Sequence, residues 1–137
     1  MSRAAVAQAV RQRLGRVALT GIVATVVAAA VTTAGGALAK AAGVDFEIPD
    51  GGESIPVAGF TSVTTMLSLA GVAMALGLAR WSPRPAAWFV RVAVTLTAVS
   101  LVPPLVVGAS AATALALIAL HLVAAAVMIP ALARSLR

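Results

Sequence analysis

Four long apolar stretches constrain the fold of this chain more than any other feature. They cover residues 17–38, 57–78, 92–109 and 112–132 of a chain of 137 residues. A helix needs about 20 apolar residues to cross the hydrocarbon core of a bilayer, and the third and shortest stretch gains a further turn if residues 86–90 join it. The sequence therefore predicts an all-α, polytopic membrane protein whose single domain is a bundle of four transmembrane helices.

The composition agrees with a membrane location and excludes several kinds of site. Hydrophobic residues make up 61% and charged residues 10% of the chain, whereas about a quarter of the residues in soluble domains are charged. The absence of cysteine excludes disulfides, thiolate metal sites and cysteine nucleophiles. The net charge is +6, but the arginines flank the apolar stretches, so we expect the lipid bilayer and no nucleic acid as a partner.

The charged residues predict the orientation of the chain. All nine arginines fall before the first span, between the second and third, or after the fourth, and therefore on one side of the membrane. Lys40 and all the carboxylates fall in the loop of residues 40–56, on the other side. Because cytoplasmic loops are enriched in Arg and Lys, we place both termini in the cytoplasm and the protein in the inner (plasma) membrane. The residues that we expect to anchor the helices at the cytoplasmic interface are Arg16, Arg80, Arg84, Arg91, Arg134, Trp81 and Trp88.

An alternative for the first stretch is a secretory signal peptide. Arginines precede it, and the "ALA" of residues 37–39 resembles a cleavage site. The apolar run is about 22 residues long, however, and the apolar region of a signal peptide is usually about 7 to 15. The length favours a membrane span.

Small residues recur at intervals of four along the first two spans. Such a face lets the backbone of a neighbouring helix approach closely. The sequence therefore favours tight packing within this hairpin, or between copies of the chain. The residues concerned are Gly21, Thr25, Ala29 and Thr33 in the first span, and Gly71, Ala75 and Ala79 in the second.

Two pairs of short segments suggest an internal repeat. "RVALT" begins at Arg16 and "RVAVT" at Arg91, an offset of 75 residues, while "MALGLAR" ends at Arg80 and "MIPALAR" at Arg134, an offset of 54 residues. The acidic loop accounts for the difference between these offsets. One interpretation is two tandem helical hairpins related by an axis along the membrane normal, and the other is chance similarity in a chain rich in Ala and Val. The repeat matches Arg91 to Arg16, and so predicts that Arg91 reaches the interface.

His121 is the only histidine of the chain and lies within the fourth apolar stretch. An ionisable side chain deep in a membrane is a functional hypothesis by default, and the roles open to it are structural hydrogen bonding, proton relay and ligation of haem or metal. A metal needs more than one protein ligand, which this chain supplies only if a second copy contributes its own His121. The sequence therefore predicts no cofactor and no metal, and the hypothetical ligand pocket consists of His121, Ser68, Thr97 and Ser100.

The loop of residues 40–56 holds Asp45, Glu47, Asp50 and Glu53. Its "VDFEI" segment alternates apolar and acidic residues, which is typical of a short strand with Phe46 and Ile48 toward the membrane. Residues 49–52 are a turn signal. We expect a solvated cap over the outer end of the bundle; a cation site is the alternative.

Three segments carry a resemblance to a known family. With "GVDFEIP" after the first span, "SLVPP" late in the third and "LHLVAAAVMIPALAR" in the fourth, the chain resembles small four-span actinobacterial membrane proteins that are classed as a domain of unknown function. The resemblance implies a four-span inner-membrane architecture and brings no established activity.

The residues contain no set of nucleophile, base and orienting group and no phosphate-binding loop, so we expect no enzyme. The sequence favours a non-enzymatic structural or accessory membrane protein that acts as a homo-oligomer or within a larger membrane complex. The alternative is a carrier or binding protein for a small hydrophobic or protonatable molecule, less readily haem, in the pocket around His121.

The predicted orientation can be tested with single cysteines, because the chain has none of its own. Gly52→Cys should react with a membrane-impermeant maleimide added to intact cells, since the acidic loop lies outside. Arg84→Cys should react only after the cells are opened. Labelling of residue 84 but not of residue 52 in intact cells would overturn the orientation.

Overall fold

Helices form most of the chain in the computed structural model, which describes residues 1–49 and 51–137. In chain order the elements are α1 (Arg3–Ala41), β1 (Glu47–Ile48), β2 (Glu53–Ser54), α2 (Val57–Trp81), α3 (Pro85–Ser100), α4 (Val102–Val106) and α5 (Ala111–Ser135). Four helical segments are long and apolar enough to cross a membrane: α1, α2, α3 together with α4, and α5. The predicted all-α class with four membrane-crossing helices is confirmed.

The first helix is much longer than a membrane is thick. Its 39 residues span roughly 58 Å at about 1.5 Å per residue, against a hydrocarbon core of about 30 Å. The helix begins after Ser2, whose side chain accepts a hydrogen bond from the Ala5 amide. The basic segment before the first span is therefore continuous with the span, in one helix.

Prolines set the limits of the third span. Pro85 opens α3, where its fixed φ suits a helix and its missing N–H costs nothing. The helix ends at Ser100, because Pro103 and Pro104 cannot donate the next backbone hydrogen bonds, and α4 continues the same span to Val106. The helical segment thus begins and ends earlier than the predicted residues 92–109, and Arg91 lies inside α3.

Helix α1 runs antiparallel to both α2 and α5 and packs against both. A Cβ at Gly21 would lie 2.6 Å from a methyl carbon of Val72, and one at Gly36 would lie 2.6 Å from the ring of Phe60. On the α5 side, a Cβ at Gly35 would lie 2.7 Å from a methyl carbon of Leu120. Glycine at these positions is therefore what lets the helices approach so closely.

The third span packs against α2 and α5, so the helices follow one another around the bundle in the order α1, α2, α3, α5. The buried core is concentrated where α1 enters the bundle and α5 ends, around Val17, Phe89 and Leu132. Burial is very uneven among the spans. In the most apolar 18 residues of each segment, 39% of the residues are buried in α1 but only 6% in the third span.

The lengths of α2 and α5 agree with the predicted internal repeat. Both helices have 25 residues, and their ends are offset by the same 54 residues as the two matching segments. Among the buried residues of the two helices, however, only Ala79 and Ala133 occupy matched positions, and the exposed Trp81 matches the buried Ser135. The order of the helices around the bundle is compatible with tandem hairpins, and the repeat stays a prediction from the sequence.

The close approach at Gly21 predicts a measurable loss of stability in Gly21→Ala. The new methyl group would overlap the stiff Val72 side chain, and overpacking of this kind typically costs about 1–3 kcal/mol. The free energy of unfolding in detergent micelles measures the effect. Gly71→Ala is the matched control, since a Cβ there meets nothing within 4 Å, and Val72→Ala in the Gly21→Ala background should restore part of the loss. A Gly21→Ala protein as stable as the wild type would contradict this account of the α1–α2 contact.

Candidate functional site

His121 lies on α5, half-buried, between the two ends of the bundle. It is about 15 Å from the start of α5 and about 21 Å from its end, at about 1.5 Å per residue. Its neighbour Leu120 contacts α1 at Gly35. The imidazole is therefore well inside the span, somewhat closer to the end that carries the acidic loop.

The hydroxyl residues of the hypothetical pocket lie on α2 and α3. Ser68 is buried on α2, eight residues beyond Phe60 and hence about 12 Å farther toward the arginine-bearing end. Thr97 donates to the carbonyl of Ala93 at 2.8 Å and Ser100 to that of Thr97 at 2.7 Å, both within α3.

Within residues 1–49 and 51–137 no hydrogen bond joins His121 to these hydroxyls. In the same residues, no group of three or more His, Cys, Asp or Glu side chains is placed to hold a metal ion. The pocket around His121 therefore remains a hypothesis from the sequence.

A threonine seam joins α1 to α2, and we define it as Thr32, Thr33, Thr61 and Thr64. The hydroxyls of Thr32 and Thr64 are 3.0 Å apart, and those of Thr33 and Thr61 are 2.6 Å apart. The two α1 hydroxyls donate to carbonyls of their own helix, so the α2 hydroxyls donate across the interface. Interhelical hydrogen bonds of this kind average about 0.6 kcal/mol in membrane proteins.

Two open grooves flank α1. The groove beside the threonine seam has a volume of about 530 Å³, and the groove between α1 and α5 has about 450 Å³. The first is lined by Thr25, Val26, Ala29, Ala30, Thr33, Ala34, Thr61 and Thr65. The second is lined by Leu19, Thr20, Val23, Ala24, Val27, Val127 and Ala131. His121 lines neither groove.

The acidic loop is fastened to the bundle through one carboxylate. Oδ1 of Asp45 accepts hydrogen bonds from the Thr113 hydroxyl at 2.8 Å and from the Glu47 amide at 3.1 Å. Thr113 is fully buried at the start of α5, where its amide donates to the Ser110 side chain. The carboxylate thus links the loop directly to the first turn of α5.

Phe46 fastens the same loop through apolar contacts. It is fully buried, has a positive φ of 53°, and meets the ring of Phe60 edge-on at a centroid distance of 4.9 Å. Glu47 is exposed and Ile48 half-buried, which is the alternation expected from the sequence, and β1 pairs with β2 in antiparallel register. Asp50, which belongs to the predicted turn and to the acidic set, lies outside the described residues.

The basic end of the bundle is the end at which α2 finishes and α3 begins. Trp81 is 81% exposed and Trp88 49% exposed. The Arg91 guanidinium lies over the Trp88 ring, 5.5 Å from its centroid, which is within the range of a cation–π contact. The side chains of Arg16, Arg80, Arg84, Arg91 and Arg134 are all exposed.

Two hydrogen bonds between distant segments of the chain were not expected from the sequence. Arg13 donates to the carbonyl of Leu136 at 3.0 Å and so joins α1 to the C-terminal end of α5, where a cation is favoured by the helix dipole. The Asp45–Thr113 bond joins residues 68 positions apart. Ser110 is a recognisable N-cap residue and marks the start of α5, but nothing local identifies the partner of either contact.

The hydrogen bonds of Asp45 predict a pH-dependent loop. The Glu47 amide, and secondly the Thr113 hydroxyl, lower the pKa of Asp45 below its ordinary value. A carboxyl whose pKa is lowered by folding stabilises the folded state above its unfolded pKa, near 4, and loses that contribution as the pH falls. We expect faster amide hydrogen exchange in residues 44–48 as the pH drops below 4, after correction for the intrinsic exchange rate.

Thr113→Val is the variant that tests the role of this bond. It keeps the shape of the side chain but removes the donor, so exchange should be faster at neutral pH and less dependent on acid. Thr95→Val is the control, since Thr95 is exposed and bonds only within α3. A Thr113→Val loop with wild-type exchange at every pH would show that the bond does not hold the loop.

Comparisons with known proteins bear on the whole chain. A family described as "Family of unknown function (DUF6069)" matches residues 12–137. No curated protein and no solved structure matches the chain. The match begins within α1 and includes all four spans and the acidic loop. The chain therefore belongs to this family of unknown function.

Proposed function

We propose that the protein is a non-enzymatic structural or accessory component of the membrane, which acts by packing against other membrane proteins, first of all further copies of itself. The observation that carries this proposal is the poor coverage of the third span. Within α3, only Pro85 and Phe89 are buried, and both lie in its first two turns.

The rest of the third span offers an unoccupied apolar surface. Val94, Leu96, Val99 and Leu105 are each more than half exposed. Helices associate in a bilayer through close packing and hydrogen bonds rather than through the hydrophobic effect. A span so weakly held by its own bundle is therefore free to pack against a helix from another chain.

The orientation and the membrane are part of the same proposal. The arginines gather at one end of the bundle and the carboxylates of Asp45, Glu47 and Glu53 at the other, which supports cytoplasmic termini and an external acidic loop. The resemblance noted in the sequence supports the plasma membrane of an actinobacterium.

A carrier or binding protein for a small hydrophobic or protonatable molecule is the second candidate. The observation that favours it is the half-buried imidazole of His121, which makes no hydrogen bond to any described residue. An unpaired polar group is costly inside a membrane, and a bound ligand would supply the partner.

Native mass spectrometry of the detergent-purified protein tests the packing proposal. We expect an oligomer, or a complex with a co-purified membrane protein, because the third span lacks packing partners. Val99→Trp should shift the oligomer toward the monomer, because the bulky indole would prevent close packing of another helix against the exposed face of the third span. Ile22→Trp, on an exposed position of α1, is the matched control. A wild-type monomer without partners would refute the proposal.

The same samples separate the second candidate from the first. An absorbance spectrum of the purified protein should show no Soret band, and the mass of each subunit should equal that of the chain. A bound chromophore or small molecule that is lost in His121→Ala would favour the carrier. Identical spectra for the wild type and His121→Ala, with subunit masses that each equal the mass of the polypeptide alone, would exclude it.

A further inference from the structure

Three arginines and two tryptophans lie close together in the sequence where α2 turns into α3. Arg80 and Trp81 are the last two residues of α2. Arg84, Trp88 and Arg91 follow at intervals of four and three, the spacing of residues on one face of a helix. We call these five residues the arginine–tryptophan corner.

The fold directs the corner outward. Pro85 and Phe89 are buried at the start of α3, and Phe89 belongs to the main apolar core. The buried face of this first part of α3 therefore points into the bundle, while Arg84, Trp88 and Arg91 are exposed. All five side chains of the corner are available to a ligand outside the bundle.

Trp88 orients the guanidinium of Arg91. Helical side chains lean toward the N-terminus of their helix, so Arg91 reaches back along α3 and lies over the ring of Trp88. Stacking occupies one face of the planar guanidinium and leaves its N–H groups free at the edge.

No side-chain carboxylate of the chain lies next to these arginines in the sequence. The sequence contains none before Asp45 and none after Glu53, and the acidic loop is fastened to the opposite end of the bundle. Arg13 differs from them, because its guanidinium is engaged with the Leu136 carbonyl. The positive charge of the corner is therefore available to an anion from outside the chain.

The depth of the corner identifies the class of anion. Arg91 lies about 9 Å along the helix from Pro85, at about 1.5 Å per residue, and is followed directly by the apolar part of the third span. Exposed tryptophans mark the level of lipid headgroups. A nucleic acid or an acidic protein in the water phase does not reach this depth, whereas the phosphate of a membrane lipid lies there.

We propose that the arginine–tryptophan corner binds the phosphate of an anionic phospholipid, with Arg80, Arg84 and Arg91 as donors and the two tryptophans against the glycerol backbone. Arginine holds phosphate through paired, charge-assisted hydrogen bonds. The site goes beyond the proposed packing function and is independent of the oligomeric state.

Lipid retention by the full-length protein tests the proposal. The protein is reconstituted in bilayers of equal parts phosphatidylglycerol and phosphatidylcholine, extracted into a mild neutral detergent, and weighed by native mass spectrometry. We expect the wild type to retain phosphatidylglycerol in clear excess over phosphatidylcholine. Equal retention of the two lipids would overturn the proposal, and this comparison requires no variant.

Two triple variants locate the site. Arg80→Gln, Arg84→Gln, Arg91→Gln should reduce the retained phosphatidylglycerol by at least roughly tenfold, since each arginine near an anionic surface contributes about fivefold. Arg3→Gln, Arg11→Gln, Arg137→Gln removes the same charge at exposed positions outside the corner and should leave retention unchanged. An equal loss in both variants would show unspecific attraction and refute the site.

A final arm distinguishes a lipid from a free anion. Excess inorganic phosphate should leave the bound phosphatidylglycerol in place, because the acyl chains hold it in the detergent belt beside the apolar part of α3. Displacement by inorganic phosphate would mean that the corner takes a soluble anion, and would contradict the assignment to a lipid.

Discussion

The close approach of α1 to its two neighbours is the contact on which the rest of the structure depends. Gly21 and Gly36 admit Val72 and Phe60 from α2, and Gly35 admits Leu120 from α5. A bilayer supplies little hydrophobic driving force between helices, so dispersion contacts at short range have to hold them together. Glycine and alanine make those distances accessible, and the threonine seam adds hydrogen bonds where the helices are already close.

Different contacts stabilise the two ends of the bundle. At the acidic end, Asp45 and Phe46 tie the loop to α5 and α2 through a carboxylate and a buried ring. At the basic end, Arg13 ties α1 to the last turn of α5, and the remaining arginines are exposed. The first end is closed by contacts within the chain, whereas the second presents uncompensated charge to its surroundings.

The asymmetry between the two hairpins connects the fold with the proposed function. Helices α2 and α5 match in length but bury different positions. The other two helices differ in burial: α1 has the largest share of buried residues and the third span the smallest.

The sequence by itself determined the number of spans, the all-α class, the arginine-bearing and acid-bearing ends, and the alternation of Phe46, Glu47 and Ile48, because each follows from the local pattern of apolar and charged residues. Tertiary structure alone decided which helices touch, and that Thr113 binds Asp45 and Arg13 binds Leu136. The physical reason is that these helices are apolar on nearly every side. Where lipid and protein neighbours are equally apolar, hydrophobic periodicity does not distinguish a buried face from an exposed one, and close packing between particular side chains makes the choice.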